Sequence, residues 1–193
     1  MVVPVWEQYE PLDDDIVFKI EPGSVFGTGQ HQTTQLCVEA LERFVKQGSA
    51  VLDIGCGSGI LGIVSLLLGA GFALACDFEP ASAISAIENA RLNNIEASRF
   101  QMETGNIFND CSLIKKIDLN KYNIVIANIV SDAIIKLAPS IMSWLVSGGM
   151  FIASGIIVER LSEVLEVFEY SGYKDINYLS KDGWYLICGM KNA

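Results

Sequence analysis

The 193-residue sequence predicts an α/β fold: a mostly parallel seven-stranded sheet with an antiparallel last strand and helices on both faces. Three observations lead there. From residue 50 onward, short apolar runs alternate with longer amphipathic stretches, the signature of β-α units. A glycine-rich turn, Gly55-Cys56-Gly57-Ser58-Gly59, joins the first of those strands to the first helix. Two closing apolar segments lie close enough to pair through Lys181-Asp182-Gly183 as a hairpin, which reverses the last strand.

The elements follow in order. Residues 1–22, with Glu7, Glu10 and Asp13-Asp14-Asp15, form an acidic lead containing one short strand, Ile16 to Ile20, and residues 23–193 form the main domain. Thr33 or Thr34 caps a helix whose Cys37, Leu41, Phe44 and Val45 share one face. Ala50 to Ile54 is a buried strand, Ile60 to Leu68 a short helix, and Phe72 to Cys76 the next strand, ending at Asp77. A helix from Pro80 to Asn93 turns Ile84, Ile87 and Ala90 inward, and Phe100 to Glu103 is a weak strand. Residues 106–121 read as a polar connection. Tyr122 to Ala127 is a strand buried on both faces and ends at Asn128. The helical stretch Ser131 to Leu145 contains Pro139, where a break or a new start is expected. Gly148-Gly149 introduce strand Met150 to Ser154, and Val158 to Tyr170 is a helix with Leu161, Val164, Leu165 and Phe168 inward and four glutamates in water. Ile176 to Leu179 and Trp184 to Met190 close the sheet.

Composition excludes several classes of function. With 51% hydrophobic and 19% charged residues the chain can build a sizeable core. A net charge of −10 argues against direct nucleic-acid binding, which rests on clustered Lys and Arg. The same charge either attracts a basic partner or simply keeps the domain soluble. Residues 54–76 carry no charge, long enough for a membrane span, but six glycines divide the run and no Lys or Arg flanks it, so a buried core is expected and no membrane partner. Five cysteines without a C-x-x-C pair, and no signal peptide, fit a reduced, cytoplasmic protein. A single histidine, His31, and no cluster with ligand spacing make a metal site improbable on composition.

The chemistry concentrates around the glycine turn. Its glycines let the backbone pass close to a ligand, and Asp77, at the carboxyl edge of the neighbouring strand, can accept hydrogen bonds from both hydroxyls of a ribose. Gly57 to Gly62 also satisfies G-x-G-x-x-G, with Asp77 20 residues past Gly57, so a dinucleotide remains formally possible. Asp53, two residues before Gly55, favours a cationic cofactor, because an acid at the strand end repels a pyrophosphate. This spacing, Asp53 ahead of glycines at 55, 57 and 59, resembles the first motif of S-adenosylmethionine (SAM) methyltransferases, whose cofactor carries a sulfonium and an amino-acid tail that an acid at the strand end suits.

Glu21-Pro22-Gly23, Phe26-Gly27-Thr28-Gly29-Gln30-His31-Gln32-Thr33-Thr34, Leu52 to Leu61, Ala127-Asn128-Ile129 and Ser154-Gly155-Ile156 form one ordered set. Together they resemble the PrmA family, bacterial methyltransferases that modify amino groups of the large-subunit ribosomal protein L11. The likeness runs from about Val3 to Lys191, and its Phe-Gly-Thr-Gly-x-His-x-Thr-Thr stretch is more specific than the glycine motif. It implies the Rossmann-like fold of class I methyltransferases, SAM as cofactor, and cofactor contacts from Thr34, Gly55, Gly57, Asp77, Asn106 and Asn128. Asn128 is the candidate catalytic residue, its amide oxygen accepting a hydrogen bond from the attacking amine. From the residues alone, the favoured readings are an ordinary helix cap for Thr34 and a turn residue for Asn128. His31 fixes loop geometry in this reading and is not assigned as a base.

Two departures stand out. The family usually carries a separate amino-terminal recognition domain, for which this chain has no room, so a catalytic fragment or a divergent relative is expected. Gly105-Asn106 stands where the resemblance leads one to expect Gly-Asp; an asparagine still hydrogen-bonds an adenine amino group, without charge. The implied activity is transfer of the SAM methyl to amino groups of a basic ribosomal protein, with alignment in a water-poor pocket supplying most of the catalysis. Methylation of a small molecule, or SAM binding without turnover, are the alternatives.

Overall fold

The computed structural model describes residues 1–12, 15–21 and 27–192. Asp13, Asp14, Pro22, Gly23 and Phe26, used above for the acidic lead, the boundary at 22/23 and the family motif, lie outside the described residues. The sheet takes the expected form. β3 (Ala50–Ile54), β4 (Phe72–Asp77), β5 (Phe100–Thr104), β6 (Tyr122–Asn128) and β7 (Leu145–Ile157) run parallel. β9 (Trp184–Met190) pairs antiparallel with β7 and with the edge strand β8 (Lys174–Lys181), giving the order β5-β4-β3-β6-β7-β9-β8. The last strand is the reversed one, and it inserts between two strands that precede it.

Two layers of helices cover this sheet. α1 (Gln32–Phe44), α2 (Ile60–Leu67) and α3 (Pro80–Leu92) supply one core with Leu36, Cys37, Ile63 and Ala86. α4 (Cys111–Lys116), α5 (Ser131–Trp144) and α6 (Leu161–Tyr170) supply the other with Leu113, Ile134, Ile141, Val164 and Phe168. The uncharged run 54–76 is divided between α2 and β4, and no helix among the described residues is long and apolar enough to cross a membrane. Strand order reverses at β3, with β4 on one side and β6 on the other, so a crevice opens at their carboxyl ends.

Several elements differ from expectation for identifiable reasons. The lead has two strands, β1 (Val2–Pro4) and β2 (Phe18–Ile20), paired parallel, and Phe18 and Ile20 are buried in the main core. The cap of α1 is His31, whose Nδ1 accepts from the Thr33 N–H, while Thr33 and Thr34 lie inside the helix and are buried. On α3, Ile84 and Ile87 face solvent, at 62% and 40% exposure, and the buried face is Ser82, Ala86, Asn89 and Ala90. The cause is close approach: a Cβ on Gly59 would lie 2.8 Å from the Ala86 Cβ, so only small side chains fit between α3 and the glycine turn. Residues 106–121 hold α4, capped by Asp110, whose Oδ1 accepts from the Ser112 and Leu113 N–H groups. Pro139 leaves α5 unbroken, because it lies on the exposed face, where the carbonyl one turn back can be solvated. Val158–Arg160 is a 3₁₀ turn leading into α6.

β7 carries two glycines with left-handed backbone, Gly148 at φ 73° and Gly155 at φ 90°. A Cβ on Gly148 would meet nothing within 4 Å, whereas one on Gly155 would sit 2.3 Å from the Ile129 carbonyl oxygen. Gly148→Ala is therefore expected to cost about 1 kcal/mol, the ordinary penalty of a left-handed residue. Gly155→Ala, which adds a backbone collision, is expected to cost about 3 kcal/mol or more. Urea denaturation of both variants separates conformation from contact; equal losses would contradict this account.

Candidate active site

The turn after β3 is built by left-handed glycines, Gly55, Gly57 and Gly59 at φ 70°, 52° and 78°. Its start is fixed to the neighbouring strand, since the Gly55 and Cys56 N–H groups both donate to the Cys76 carbonyl. Its middle is fixed by Asp77, whose Oδ2 accepts from the Gly57 N–H at 2.9 Å while Oδ1 accepts from the Glu79 N–H at 2.9 Å. Gly55 faces the segment after β6, where a Cβ would come within 2.5 Å of the Ile129 Cγ2.

A second carboxylate holds the far side of the turn. Asp53 is fully buried, and its Oδ2 accepts from the Gly62 N–H at 2.9 Å; its Oδ1 has no hydrogen-bond partner. Burial pushes this carboxyl up to about 7; the Gly62 N–H opposes the shift, and the nearby Asp77 adds to it. Two of the N–H groups that a pyrophosphate would seek, those of Gly57 and Gly62, are therefore occupied by the protein's own carboxylates. The arrangement disfavours a phosphate and suits a ligand with positive charge.

Beside the turn lies a cleft of about 300 Å³, lined by Ile54, Gly55, Asp77, Asn106 and the apolar side chains of Ile107, Phe108, Ile129 and Val130. Its walls suit a flat heteroaromatic ring and its rim carries the polar groups that would orient it. Asn106 is at that rim, but its Oδ1 accepts from the Phe108 N–H at 3.0 Å, so its amide nitrogen is the end that remains for a ligand. Asn128, at the end of β6, is half-buried, and its Nδ2 donates to the Thr34 Oγ1 at 3.4 Å.

The structure thus gathers Gly55, Gly57, Asp77 and Asn106 around the turn and cleft, and pairs Asn128 with Thr34 across 94 positions of sequence. Thr34 is almost fully buried, behind Asn128. His31 sits at the start of the same helix, its Nδ1 2.8 Å from the Thr33 Oγ1 and its ring edge-on to Trp184 at 5.0 Å. Sequence reasoning gave no role to Ser58 or Ile129, named only as motif members, although the Ser58 Oγ donates to the Gly27 carbonyl at 2.7 Å, and it passed over Ile107, Phe108 and Val130, because apolar residues after a strand look like ordinary packing. Among the described residues no group of His, Cys, Asp and Glu could hold a metal ion.

The buried Asp53 makes a testable contribution to stability. Its folded value, about 7, stands above the unfolded one, roughly 3.9, so folding favours the protonated form. That contribution is full below about pH 4 and is lost as pH rises towards 7. Compared with Asp53→Asn, the native chain should lose unfolding free energy over this window at up to about 1.4 kcal/mol per pH unit. Urea titrations at a series of pH values measure the difference, and parallel profiles for the two proteins would rule it out.

Residues 1–192 match the family described as ribosomal protein L11 methyltransferase (PrmA). The chain is 41% identical over 195 residues to the ribosomal protein L11 methyltransferase of Agathobacter rectalis, across 99% of this chain and 60% of that protein. It is likewise 41% identical over 191 residues to the protein of that name from Caldicellulosiruptor saccharolyticus, again across 99% and 60%. The chain therefore spans about 60% of the length of these curated relatives. The crystal structure of a ribosomal protein L11 methylase from Lactobacillus delbrueckii subsp. bulgaricus superposes with a TM-score of 0.87 at 30% identity, covering 100% of this chain and 94% of that one. With a match that takes in the lead, the glycine turn and the closing hairpin together, the chain belongs to the ribosomal protein L11 methyltransferase (PrmA) family.

Proposed function

We propose that the chain is a SAM-dependent N-methyltransferase acting on amino groups, lysine side chains or the amino terminus, of the basic ribosomal protein L11 in the cytoplasm. The observation that carries this reading is the placement of two carboxylates, Asp53 and Asp77, on the N–H groups of the glycine turn beside an apolar cleft. A cationic adenosine derivative answers both the charge and the shape. Membership of the family supplies the substrate class.

Each side chain has a definite task. Asp77 keeps acceptor capacity beyond its two backbone bonds and receives the ribose hydroxyls. The apolar walls take the adenine, with Asn106 presenting its amide nitrogen to the ring edge. Gly55 and Gly57 allow the turn to pass close to the remainder of the ligand. SAM supplies an electrophilic methyl group when bound. Asn128, with its Nδ2 directed to Thr34, turns its carboxamide oxygen outward to accept a hydrogen bond from the incoming amine and align it. Bound SAM would pass its methyl group to the neutral amine nitrogen and leave as the thioether S-adenosylhomocysteine, and the product ammonium would give its proton to solvent. Thr34 acts through Asn128, and His31 through the start of α1.

Incubation of this chain with radiolabelled SAM and unmethylated L11 is expected to place the label in the protein. Label confined to a low-molecular-weight fraction would indicate a small-molecule methyltransferase, and a SAM-induced melting shift without label a binding module. Asn128→Ala should slow methyl transfer about 100-fold, while leaving the Kd for S-adenosylhomocysteine within about threefold. Asp77→Ala should raise that Kd by about 10- to 100-fold, as loss of hydrogen bonds to a charged group implies. Calorimetric titration reads both, and a melting shift with NAD in place of SAM would overturn the cofactor assignment.

A further inference from the structure

Ser58, in the middle of the glycine turn, is held from outside the site by two groups far away in sequence. Its carbonyl accepts from the Asn89 Nδ2 at 3.0 Å, and its hydroxyl donates to the Gly27 carbonyl at 2.7 Å. Asn89, only 1% exposed, uses its other end as well, since its Oδ1 accepts from the Glu21 N–H at 3.1 Å. One turn further on, at the C-cap of α3, Asn93 completes the same clasp. Its Oδ1 accepts from the Lys19 N–H at 2.7 Å, and its Nδ2 donates to the Lys19 carbonyl at 2.6 Å and the Asn89 carbonyl at 2.8 Å.

A buried amide used at both ends is a demanding arrangement, because losing either partner leaves a polar atom without water. An apolar residue at 89 would leave the Ser58 carbonyl and the Glu21 N–H without this partner, and α3 turns Ile84 and Ile87 to solvent while keeping Asn89 inside. Nor is there slack at the contact: a Cβ on Gly27 would lie 2.5 Å from the Ser58 Oγ, and one on Gly59 2.8 Å from the Ala86 Cβ. The inner side of the same turn is bound by Asp77 through Gly57. One five-residue loop, 55–59, is thus gripped on its ligand side by the ribose-binding acid and on its outer side by Asn89 and Gly27.

We propose that Asn89 and Ser58 are positioning residues that couple the amino-terminal lead to the cofactor turn. Anchoring of Lys19, Glu21 and Gly27 holds the turn in its ligand-receiving shape, and ligand in the turn in turn holds the lead. Linkage makes the two effects equal in free energy. The inference rests on the assignment of this turn to the cofactor.

The test uses hydrogen exchange and calorimetry on the whole chain with S-adenosylhomocysteine as the probe. In the wild type the probe should slow exchange of the Lys19 and Glu21 amides, which lie outside the cleft. Asn89→Asp keeps the acceptor for Glu21 and removes the donor to Ser58; it should raise the probe's Kd about 5- to 20-fold and abolish the ligand-dependent slowing at Glu21. In turnover its loss should fall on KM for the methyl donor and leave kcat in place. Ser58→Ala, the smaller perturbation, should raise Kd in the same direction, and the double variant should be less than additive. Variants that lower Tm but leave the Kd and the ligand-dependent protection unchanged would show the clasp to be merely structural and overturn the coupling. A wild type that does not bind the probe at all would overturn the cofactor assignment, and the coupling with it.

Discussion

The hydrogen bond from the Gly57 N–H to the Asp77 carboxylate joins the turn after β3 to the end of β4, and the site is organised around it. It exists because the parallel register pairs Ile54 with Cys76, so the turn that follows β3 starts beside Asp77, the last residue of β4. It also demands left-handed backbone at Gly57. On the other flank, Asp53 performs the same service for the Gly62 N–H at the start of α2. Two carboxyl groups thereby define the turn from both sides, and burial, with a smaller contribution from Asp77, pushes that of Asp53 up to about 7.

The rest of the sheet brings the remaining groups to that point. The reversal of strand order at β3 places the end of β6 opposite the end of β4, which delivers Asn128 and Ile129 to the same crevice as Asp77. β7 makes room for them through Gly155, where any side chain would strike the Ile129 backbone. From the opposite layer, α1 contributes Thr34 to orient Asn128. The two carboxyl groups thus come from β3 and β4, and the Asn128–Thr34 pair from β6 and α1. The two are adjacent only because parallel β-α units leave all their loops on one edge.

Much of this was legible in the sequence where composition and backbone demands coincide. The run Ala50 to Asp77 divides into strand, helix and strand with almost the predicted bounds, because glycines punctuate an otherwise uncharged stretch. The acid at 77 and the asparagine at 128 were visible as polar residues ending apolar strands. α4 was not visible, since a six-residue helix draws on one aspartate cap and the burial of Leu113 rather than on any periodic pattern. Ile84 and Ile87 misled because hydrophobicity usually marks the inner face, and here the space available did so instead. The cap of α1 was placed two or three residues late for a similar reason, as an imidazole nitrogen can do what a threonine hydroxyl commonly does.

The inversion of α3 explains a further feature of the architecture. A helix packed on a glycine turn cannot bring large side chains to the contact, so it gains little from apolar burial there. It must be held by directional bonds, and Asn89 and Asn93 supply them, satisfying backbone groups of β2 and of the turn at once. Phe18 and Ile20, between those bonds, restore the hydrophobic contribution by reaching past α3 into the core. The lead is therefore not an ornament on the sheet. It fills the space that the smallness of α3's inner face leaves open, and the physical condition for a glycine turn close to a ligand becomes a condition on residues more than thirty positions upstream.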